Sequence, residues 1–227
     1  KEAKFFGETV IVASSKEQNY NHVPKGYEVP ADADYFHCTS NNTIFGTQYK
    51  NFPSTKAPLV VDASSDIFSY PVDWTTVDMM FAGAQKNAGP SGVTIVIIKK
   101  SLLERVSESV PTMLRYKIHA AENSLYNTPP TFGIYLLGLT LQWIKRQGGI
   151  KAIEANNEKK AKLLYDYLDQ SDFYKAHSYP ENRSMMNVTF TCPSQELDAK
   201  FVKESVEAGM TNLKGHRSVG GIRASIY

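Results

Sequence analysis

Two short apolar runs, each followed closely by a charged side chain, constrain the fold more than any other feature. Pro58 to Asp62 (PLVVD) closes on a carboxylate, and Val77 to Phe81 (VDMMF) is followed five residues later by Lys86. Unbroken apolar runs are typical of buried parallel strands. Functional groups gather at the carboxyl ends of such strands. The pattern therefore predicts two adjacent strands with Asp62 and Lys86 at the same edge of a sheet.

Further elements can be predicted around these strands. Val93 to Ile98 returns from a tight turn and is expected to pair antiparallel with the strand before it. A β-branched run at 8–13 predicts another strand. Residues 131–147 predict a long, mostly buried helix that ends at two glycines, and a charged amphipathic helix is expected over 151–168.

The character of the sequence changes near residue 155. A partly alternating strand, an amphipathic helix and a final strand follow, which is typical of a smaller α+β unit. We therefore predict an α/β chain with a large domain over 1–154, built on a mainly parallel sheet, and a small α+β domain over 155–227. The first residues read like the tail of a helix and the last like an unfinished strand, so we expect both ends to be cut from a longer protein.

Composition excludes several classes of function. Lys and Arg number 25 against 23 Asp and Glu, a net charge of +2 that indicates neither a nucleic-acid nor a membrane-surface partner. No apolar run approaches the roughly 20 residues that cross a bilayer. The two cysteines, Cys38 and Cys192, lie far apart without metal-ligand spacing, so neither a disulfide scaffold nor a metal site is expected. His37 and His119 also lack such spacing and are expected to be structural or exposed.

Lys86 and Asp62 together suggest a specific chemistry. A partly desolvated lysine is shifted towards the neutral amine that attacks a carbonyl. On its own, Lys86 is equally well interpreted as a surface lysine at a strand end. Asp62 favours the functional interpretation, because pyridoxal phosphate needs a lysine to bind covalently and a carboxylate to keep its pyridine nitrogen protonated.

Two further clusters could bind anions. Gly215 to Arg223 (GHRSVGGIR) combines two guanidiniums and an imidazole with glycines, which suits a carboxylate or phosphate but is also compatible with a basic surface turn. The cluster lacks the lysine of a nucleotide-binding loop, so a small anionic substrate is favoured over ATP. Asn127 and Thr128 precede the long helix and suit either a helix start, with Thr128 as the cap, or a phosphate site.

Six segments carry a resemblance to the phosphoserine aminotransferase family, pyridoxal-phosphate enzymes of class V with the aspartate-aminotransferase fold (fold type I). They are HCTSNNTIFGTQY from His37, VVDASSDIFSYPVD from Val60, FAGAQKNAGPSGVTIVII from Phe81, NSLYNTPPTFGIYLLGLTLQWIKRQGG from Asn123, RSMMNVTF from Arg183 and LKGHRSVGGIRASIY from Leu213. The segments follow the family's order through nearly the whole chain.

The resemblance implies roles for individual residues. Lys86 resembles the lysine that binds the cofactor covalently, and Asp62 resembles the partner of its pyridine nitrogen. Thr43 resembles the threonine at the cofactor ring, and Gln85 a side chain on the cofactor phosphate. The remaining implied residues reach across a homodimer or hold the substrate: Asn127 and Thr128 on the neighbouring subunit's cofactor phosphate, His216 and Arg217 on the substrate's phosphate or distal carboxylate, and Arg223 on its α-carboxylate.

The resemblance also implies an activity, which is transamination between glutamate and 3-phosphohydroxypyruvate to give phosphoserine and 2-oxoglutarate in serine biosynthesis. A cytoplasmic location is expected, with a plastid compatible as well. Against the family pattern, an N-terminal part is missing, with a glycine-containing phosphate loop, an aromatic residue on the cofactor ring and a further substrate arginine. The isolated segment is therefore expected to lack a complete pocket.

Two alternatives remain open. One is another enzyme of the same fold, such as a different small-substrate aminotransferase or a cysteine desulfurase. The GHRSVGG cluster disfavours the desulfurase, which needs a mobile nucleophilic cysteine. The other is a non-catalytic fragment that only dimerises, which the presence of Lys86, Asp62 and Arg223 together disfavours.

Overall fold

A computed structural model describes residues 2–227, and its strands form two larger sheets and one two-stranded hairpin, with helices packed around them. The strands are β1 Phe36–Thr39, β2 Asn41–Asn42, β3 Thr47–Gln48, β4 Leu59–Asp62, β5 Met79–Gly83, β6 Thr94–Ile98, β7 Lys175–Ala176, β8 Asn187–Thr191 and β9 Ile222–Ser225. The α-helices are α1 Lys100–Leu103, α2 Tyr116–Ala121, α3 Thr131–Arg146, α4 Ile150–Asp169 and α5 Gln195–Glu207.

The central sheet has the strand order β1-β4-β5-β6. The first three strands are parallel, with Thr39 opposite Asp62 and Asp62 opposite Phe81. β6 runs antiparallel to β5, because the connection between them is a short turn. This register confirms the predicted adjacency of the strands that carry Asp62 and lead to Lys86, and it confirms the antiparallel return.

One face of the central sheet forms a hydrophobic core. Alternate side chains such as Leu59, Val61, Met80 and Ala82 are buried there. Their neighbours on the opposite face, including Asp62, are only half-buried. Alternation of side chains along a strand therefore separates the residues that stabilise the sheet from those that are available for chemistry.

The second sheet, β7-β8-β9, is antiparallel and has its own core. Helices α4 and α5 pack on it, and the buried residues of this core include Tyr165, Leu168, Val188 and Ile222. This α+β arrangement agrees with the predicted character of the C-terminal part. The domain boundary after residue 154 falls inside α4 and stays a prediction.

A small hairpin connects the two sheets. Strands β2 and β3 pair antiparallel through Asn41–Gln48 and Asn42–Thr47. Thr47 also bridges to Arg183, and Ser184 N–H donates to the Gly46 carbonyl at 2.9 Å. One residue, Ser40, separates the hairpin from β1, and the hairpin contacts the segment that leads into β8, so it lies between the two cores.

Several predicted elements differ from the structure. The run at 8–13 is not a strand but irregular, and Val10 and Ile11 are largely exposed, because no strand among residues 2–227 pairs with it. Of the helical opening residues, Glu2–Phe5 form a short 3₁₀ helix, and Lys1 lies outside the described residues.

The long helix α3 forms at the predicted position and ends before Gly148 and Gly149, both at positive φ. The prediction that it is mostly buried is wrong, since Ile144 is its one buried residue. The helix carries more apolar side chains than the rest of the described chain covers. No helix in residues 2–227 is both long and apolar enough to cross a membrane.

Candidate active site

The carboxyl ends of β1, β4 and β5 place the candidate residues at one edge of the central sheet. Asp62 ends β4, and its backbone carbonyl accepts a hydrogen bond from Ser40 N–H at 2.9 Å. Its side-chain Oδ1 accepts the Ser64 N–H at 2.9 Å, and Ser64 Oγ accepts the Gly83 N–H at 3.1 Å. The carboxylate of Asp62 is therefore oriented by the turn that follows it, and this turn is tied to the end of β5.

Lys86 lies in a single helical turn after β5. Ala88 and Gly89 both donate backbone hydrogen bonds to the Ala84 carbonyl, at 3.0 and 2.8 Å. The half-buried Lys86 side chain extends to Thr43, and its Nζ donates to Thr43 Oγ1 at 3.0 Å. Two residues that are 43 positions apart in the chain thus meet at the sheet edge.

Thr43 is presented by the tip of the β2–β3 hairpin. Asn42 Oδ1 accepts the backbone N–H groups of Ile44 and Phe45 at 3.0 and 3.2 Å. This side-chain turn is typical of asparagine, and it fixes the loop that carries the threonine. Asn42 is not among the residues predicted from the sequence, although an asparagine directly before a functional residue in a turn is a usable signal.

Arg223 approaches the same point from β9. Its Nη1 donates to the Thr43 carbonyl at 3.5 Å, and its Nε is buried without a hydrogen-bond partner among the described residues. A buried guanidinium nitrogen left unpaired is costly unless an anion completes it. The structure therefore brings Lys86, Thr43 and Arg223 together, with the arginine able to accept an anionic group.

Gln85 is exposed beside this cluster. Its side-chain amide folds over Gly83, where an added Cβ would meet Gln85 Oε1 at 2.5 Å. Gly83 thus leaves room for the amide at the end of β5, at the edge where Asp62 and Lys86 lie.

The His216–Arg217 loop is a separate exposed turn. Val219 and Gly220 N–H both donate to the His216 carbonyl, at 2.9 and 2.8 Å, and His216 Nδ1 lies 2.7 Å from Ser218 Oγ. A Cβ on Gly215 would lie 1.9 Å from the Gly220 carbonyl oxygen, so only glycine allows the loop to close. Among the described residues, neither His216 nor Arg217 hydrogen-bonds to the Lys86 cluster.

Among the described residues, neither Asn127 nor Thr128 hydrogen-bonds to the Lys86 cluster. Both are exposed, and the one side-chain contact is Asn127 Nδ2 to the Thr128 carbonyl at 3.3 Å. The prediction that Thr128 caps the helix is wrong, because α3 begins at Thr131 with Pro130 as the preceding residue. Their side chains are free for another role.

Two titratable groups lie close to Asp62. Partial burial lowers the pKa of His37, which stacks on Phe81 with ring centroids 6.2 Å apart, while the charge of Asp62 opposes that shift. Asp66 is fully buried, and burial raises its pKa to about 6 although Ser40 and Gln48 donate hydrogen bonds to it. His37 was predicted to be structural or exposed, and its proximity to Asp62 became visible only through the strand register.

Comparison with known proteins agrees with this geometry. The family model described as Aminotransferase class-V matches residues 7–227. A phosphoserine aminotransferase of Lysinibacillus sphaericus is 54% identical over 231 residues, which cover 100% of this chain and 64% of that protein. The solved phosphoserine aminotransferase of Bacillus circulans subsp. alkalophilus is 50% identical with a TM-score of 0.97, covering 100% of this chain and 64% of that one.

A third comparison includes a cofactor complex. The structure of pyridoxal-phosphate-bound phosphoserine aminotransferase from Trichomonas vaginalis is 40% identical with a TM-score of 0.88, covering 92% of this chain and 61% of that one. The chain belongs to the class V aminotransferase family, and the predicted fold class is confirmed. It spans about 64% of the length of the curated relatives that it matches.

Proposed function

We propose that the protein carries out pyridoxal-phosphate-dependent transamination between glutamate and 3-phosphohydroxypyruvate, which yields phosphoserine and 2-oxoglutarate. The observation that carries the proposal is the meeting of Lys86, Thr43 and Arg223 beside the end of the Asp62 strand. Relatives that are more than half identical over the whole chain are named phosphoserine aminotransferases, which supports this choice of substrates.

The donor set fits the cofactor. Lys86 forms no ion pair with a carboxylate within residues 2–227, so its amine is available for a covalent bond. Asp62 supplies the carboxylate that a pyridinium requires, and Gln85 offers an exposed amide for a phosphate. When bound, pyridoxal phosphate supplies a ring that withdraws electrons from the substrate's α-carbon.

Each protein group has a task that follows from its chemistry. In its free amine form, Lys86 would take the proton from the α-carbon of the amino donor and hand it on before the first product leaves, and in the second half of the reaction it would deliver a proton to the α-carbon of the acceptor. Asp62 would supply a carboxylate that stabilises positive charge on the pyridine nitrogen. Arg223 binds the α-carboxylate through its planar fork, and Thr43 orients the lysine amine. A second arginine, Arg217, with His216 would hold the distal phosphate or carboxylate.

A homodimer with shared active sites is part of the proposal. Asn127 and Thr128 are exposed and form no hydrogen bond to their own Lys86 within the described residues, as expected of residues that serve the cofactor phosphate of a neighbouring subunit. They lead directly into α3, on which Phe132, Tyr135, Leu139 and Trp143 form an exposed stripe. We propose that this stripe packs against a second copy of the protein, and a cytoplasmic location remains a prediction.

The state of the cysteines disfavours a cysteine desulfurase. Both Cys38 and Cys192 are buried. Burial raises the pKa of Cys38 to about 12 and that of Cys192 to about 11. A nucleophilic cysteine needs an accessible thiolate, so neither thiol suits that chemistry.

Borohydride reduction of the intact protein with pyridoxal phosphate tests the proposal. We expect one phosphopyridoxyl label, located on Lys86 by peptide mapping, and loss of the visible absorbance when phosphoserine is added before reduction. Lys86→Ala should abolish the label, whereas Lys25→Ala, which removes an exposed loop lysine, should leave it unchanged. A label on any other lysine, or none, would contradict the assignment. Bleaching by alanine but not phosphoserine would favour another small-substrate aminotransferase.

A further inference from the structure

A line of buried polar side chains runs from the Asp62 turn to the strand that carries Arg223. Ser65, Asn41 and Asn187 are each at most 2% exposed. Asn41 Nδ2 donates to Ser65 Oγ at 2.9 Å and to Asn187 Oδ1 at 2.7 Å. Asn187 Nδ2 donates in turn to Ser225 Oγ at 3.0 Å. The line therefore starts three residues after Asp62 and ends two residues after Arg223.

Every polar atom of the two asparagine amides has a partner. Asn41 Oδ1 accepts the Ser184 hydroxyl at 2.5 Å, and Asn187 Nδ2 donates a second hydrogen bond to the Tyr227 hydroxyl at 3.2 Å. A fully satisfied buried network is rigid and specifies one arrangement, because any shift leaves a buried polar group unpaired. The spacing between the two sheets is therefore defined more sharply here than apolar packing alone would define it.

The register connects this line to Arg223. Asn187 pairs with Ser225 across β8 and β9, and Thr189 pairs with Arg223 two residues along the same ladder. Thr189 Oγ1 also donates to the Phe45 carbonyl at 2.9 Å, in the hairpin that carries Thr43. The loop of one hairpin thus contacts Lys86 through Thr43 and, through Phe45, contacts the strand that pairs with the Arg223 strand.

We propose that Asn41 and Asn187 are positioning residues that hold Arg223 at a set distance from Lys86, and that their link determines the affinity for the substrate's α-carboxylate. This inference rests on the proposed function. Groups that bind or react with a substrate must be held to within about half an ångström, and Arg223 has no bonded carboxylate within the described chain to hold it. The Asn41–Asn187 link supplies that constraint through the backbone of β9.

The test uses the intact protein loaded with pyridoxal phosphate, and the probe is glutarate, a dicarboxylate without the amino group that reacts. Its Kd is measured by calorimetry for Asn41→Ala, Asn187→Ala and the double variant. Each single variant should raise the Kd about tenfold. The double variant should be no worse than about the worse single one, because both remove the same link. Labelling of Lys86 by borohydride should be unchanged in all of them.

Asn157 provides a matched control. It is 3% exposed on α4, and its Nδ2 donates to the Ser69 carbonyl at 3.2 Å, away from the Arg223 strand. Asn157→Ala should lower the thermal midpoint as the other variants do but keep the glutarate Kd within about twofold of wild type. If Kd follows thermal midpoint across all variants, Asn157→Ala included, the link is merely structural and the inference is overturned.

A milder variant covers the case in which Asn41→Ala does not fold. Ser225 is exposed, and Asn187 keeps its bond to Tyr227 when Ser225→Ala removes the end of the line. We expect about a threefold rise in the glutarate Kd with an unchanged thermal midpoint, and an unchanged Kd would overturn the inference. If the wild type is labelled at Lys86 but binds glutarate with the same Kd as its variants, that result contradicts only the positioning role of Asn41 and Asn187. Failure of the wild type to label contradicts the proposed function and this inference together.

Discussion

Helices α3 and α4 are neighbours in the chain but differ in how they are buried. The 16 residues of α3 are mostly apolar, yet only Ile144 is buried. Half of the 20 residues of α4 are polar or charged, yet Asn157, Ala161, Tyr165 and Leu168 are buried at spacings of four, four and three. A helix is therefore buried according to the partner that faces it and not according to its own apolar content.

The partners explain the difference. α4 lies on the β7-β8-β9 sheet, where the Tyr165 hydroxyl donates to the Ser184 carbonyl at 3.1 Å and the Arg183 guanidinium lies 4.6 Å from the Tyr165 ring centre. α3 contacts the central core along one narrow stripe, where a Cβ on Gly133 would come within 2.8 Å of Val93. The exposed stripe of Phe132, Tyr135, Leu139 and Trp143 faces away from this contact with the core.

The largest expected difference between the helices is in the cost of a cavity. Leu168→Ala, at a position that is 5% exposed, should lower the free energy of unfolding by about 3 kcal/mol. The matched change Leu139→Ala in α3, at 37% exposed, should cost less than about 1 kcal/mol. Urea unfolding measures both, at a protein concentration low enough for the chain to be monomeric and the α3 stripe uncovered. Equal losses would mean that the α3 stripe is packed within the chain and would break the comparison.

The second prediction concerns self-association. Replacing Phe132 and Tyr135 of α3, which are 72% and 60% exposed, by serine should weaken a homodimer at least about tenfold by sedimentation analysis, since apolar area is lost from the interface. The corresponding change on α4 is Leu163→Ser with Tyr167→Ser, at 74% and 65% exposed, and it should leave association unchanged. Equal weakening by the two pairs would contradict the proposed interface.

The third prediction is a pH dependence at the end of α4. Arg183 donates to both carboxylate oxygens of Asp169, at 2.7 and 2.6 Å, and these hydrogen bonds hold the pKa of Asp169 below its usual range. A lowered folded-state pKa contributes stability that is present above the unfolded pKa and is lost as the pH falls through the folded one.

Asp169→Asn should therefore cost about 1 kcal/mol or less at pH 7, because the Asp169 side chain is half exposed, and almost nothing near pH 2. Chemical unfolding at the two pH values measures the difference, with Asp166→Asn on the same helix as the control. A cost that does not fall with pH would show that Asp169 acts through packing and not through its charge.

The sequence predicted the elements whose stability is local or periodic. The structure confirms the strand that ends at Asp62, the strand before Lys86, the antiparallel strand that follows and both long helices. Each of these elements has a hydrophobic pattern that lies within its own residues. The predictions that α3 is mostly buried and that 8–13 forms a strand were wrong. Both depend on packing or pairing partners elsewhere in the chain, which the local hydrophobic pattern does not specify. Of the site, Lys86 and Asp62 could be placed from strand ends. The Asn41–Asn187 link could not, since it joins side chains 146 positions apart.

The smallest expected effect tests the solvent face of α4. Lys162 Nζ lies 2.8 Å from Asp166 Oδ2 one turn away, and both side chains are largely exposed. Lys162→Ala should change the free energy of unfolding by only about 0.3–0.5 kcal/mol, because solvent and salt screen such a pair. Repeating the measurement in 1 M salt should remove most of that difference. If Lys162→Ala lowered the free energy of unfolding as much as Leu168→Ala, ion pairs on its exposed face would stabilise α4. The contrast with α3 would then depend on electrostatics and not on the surface that each helix packs against.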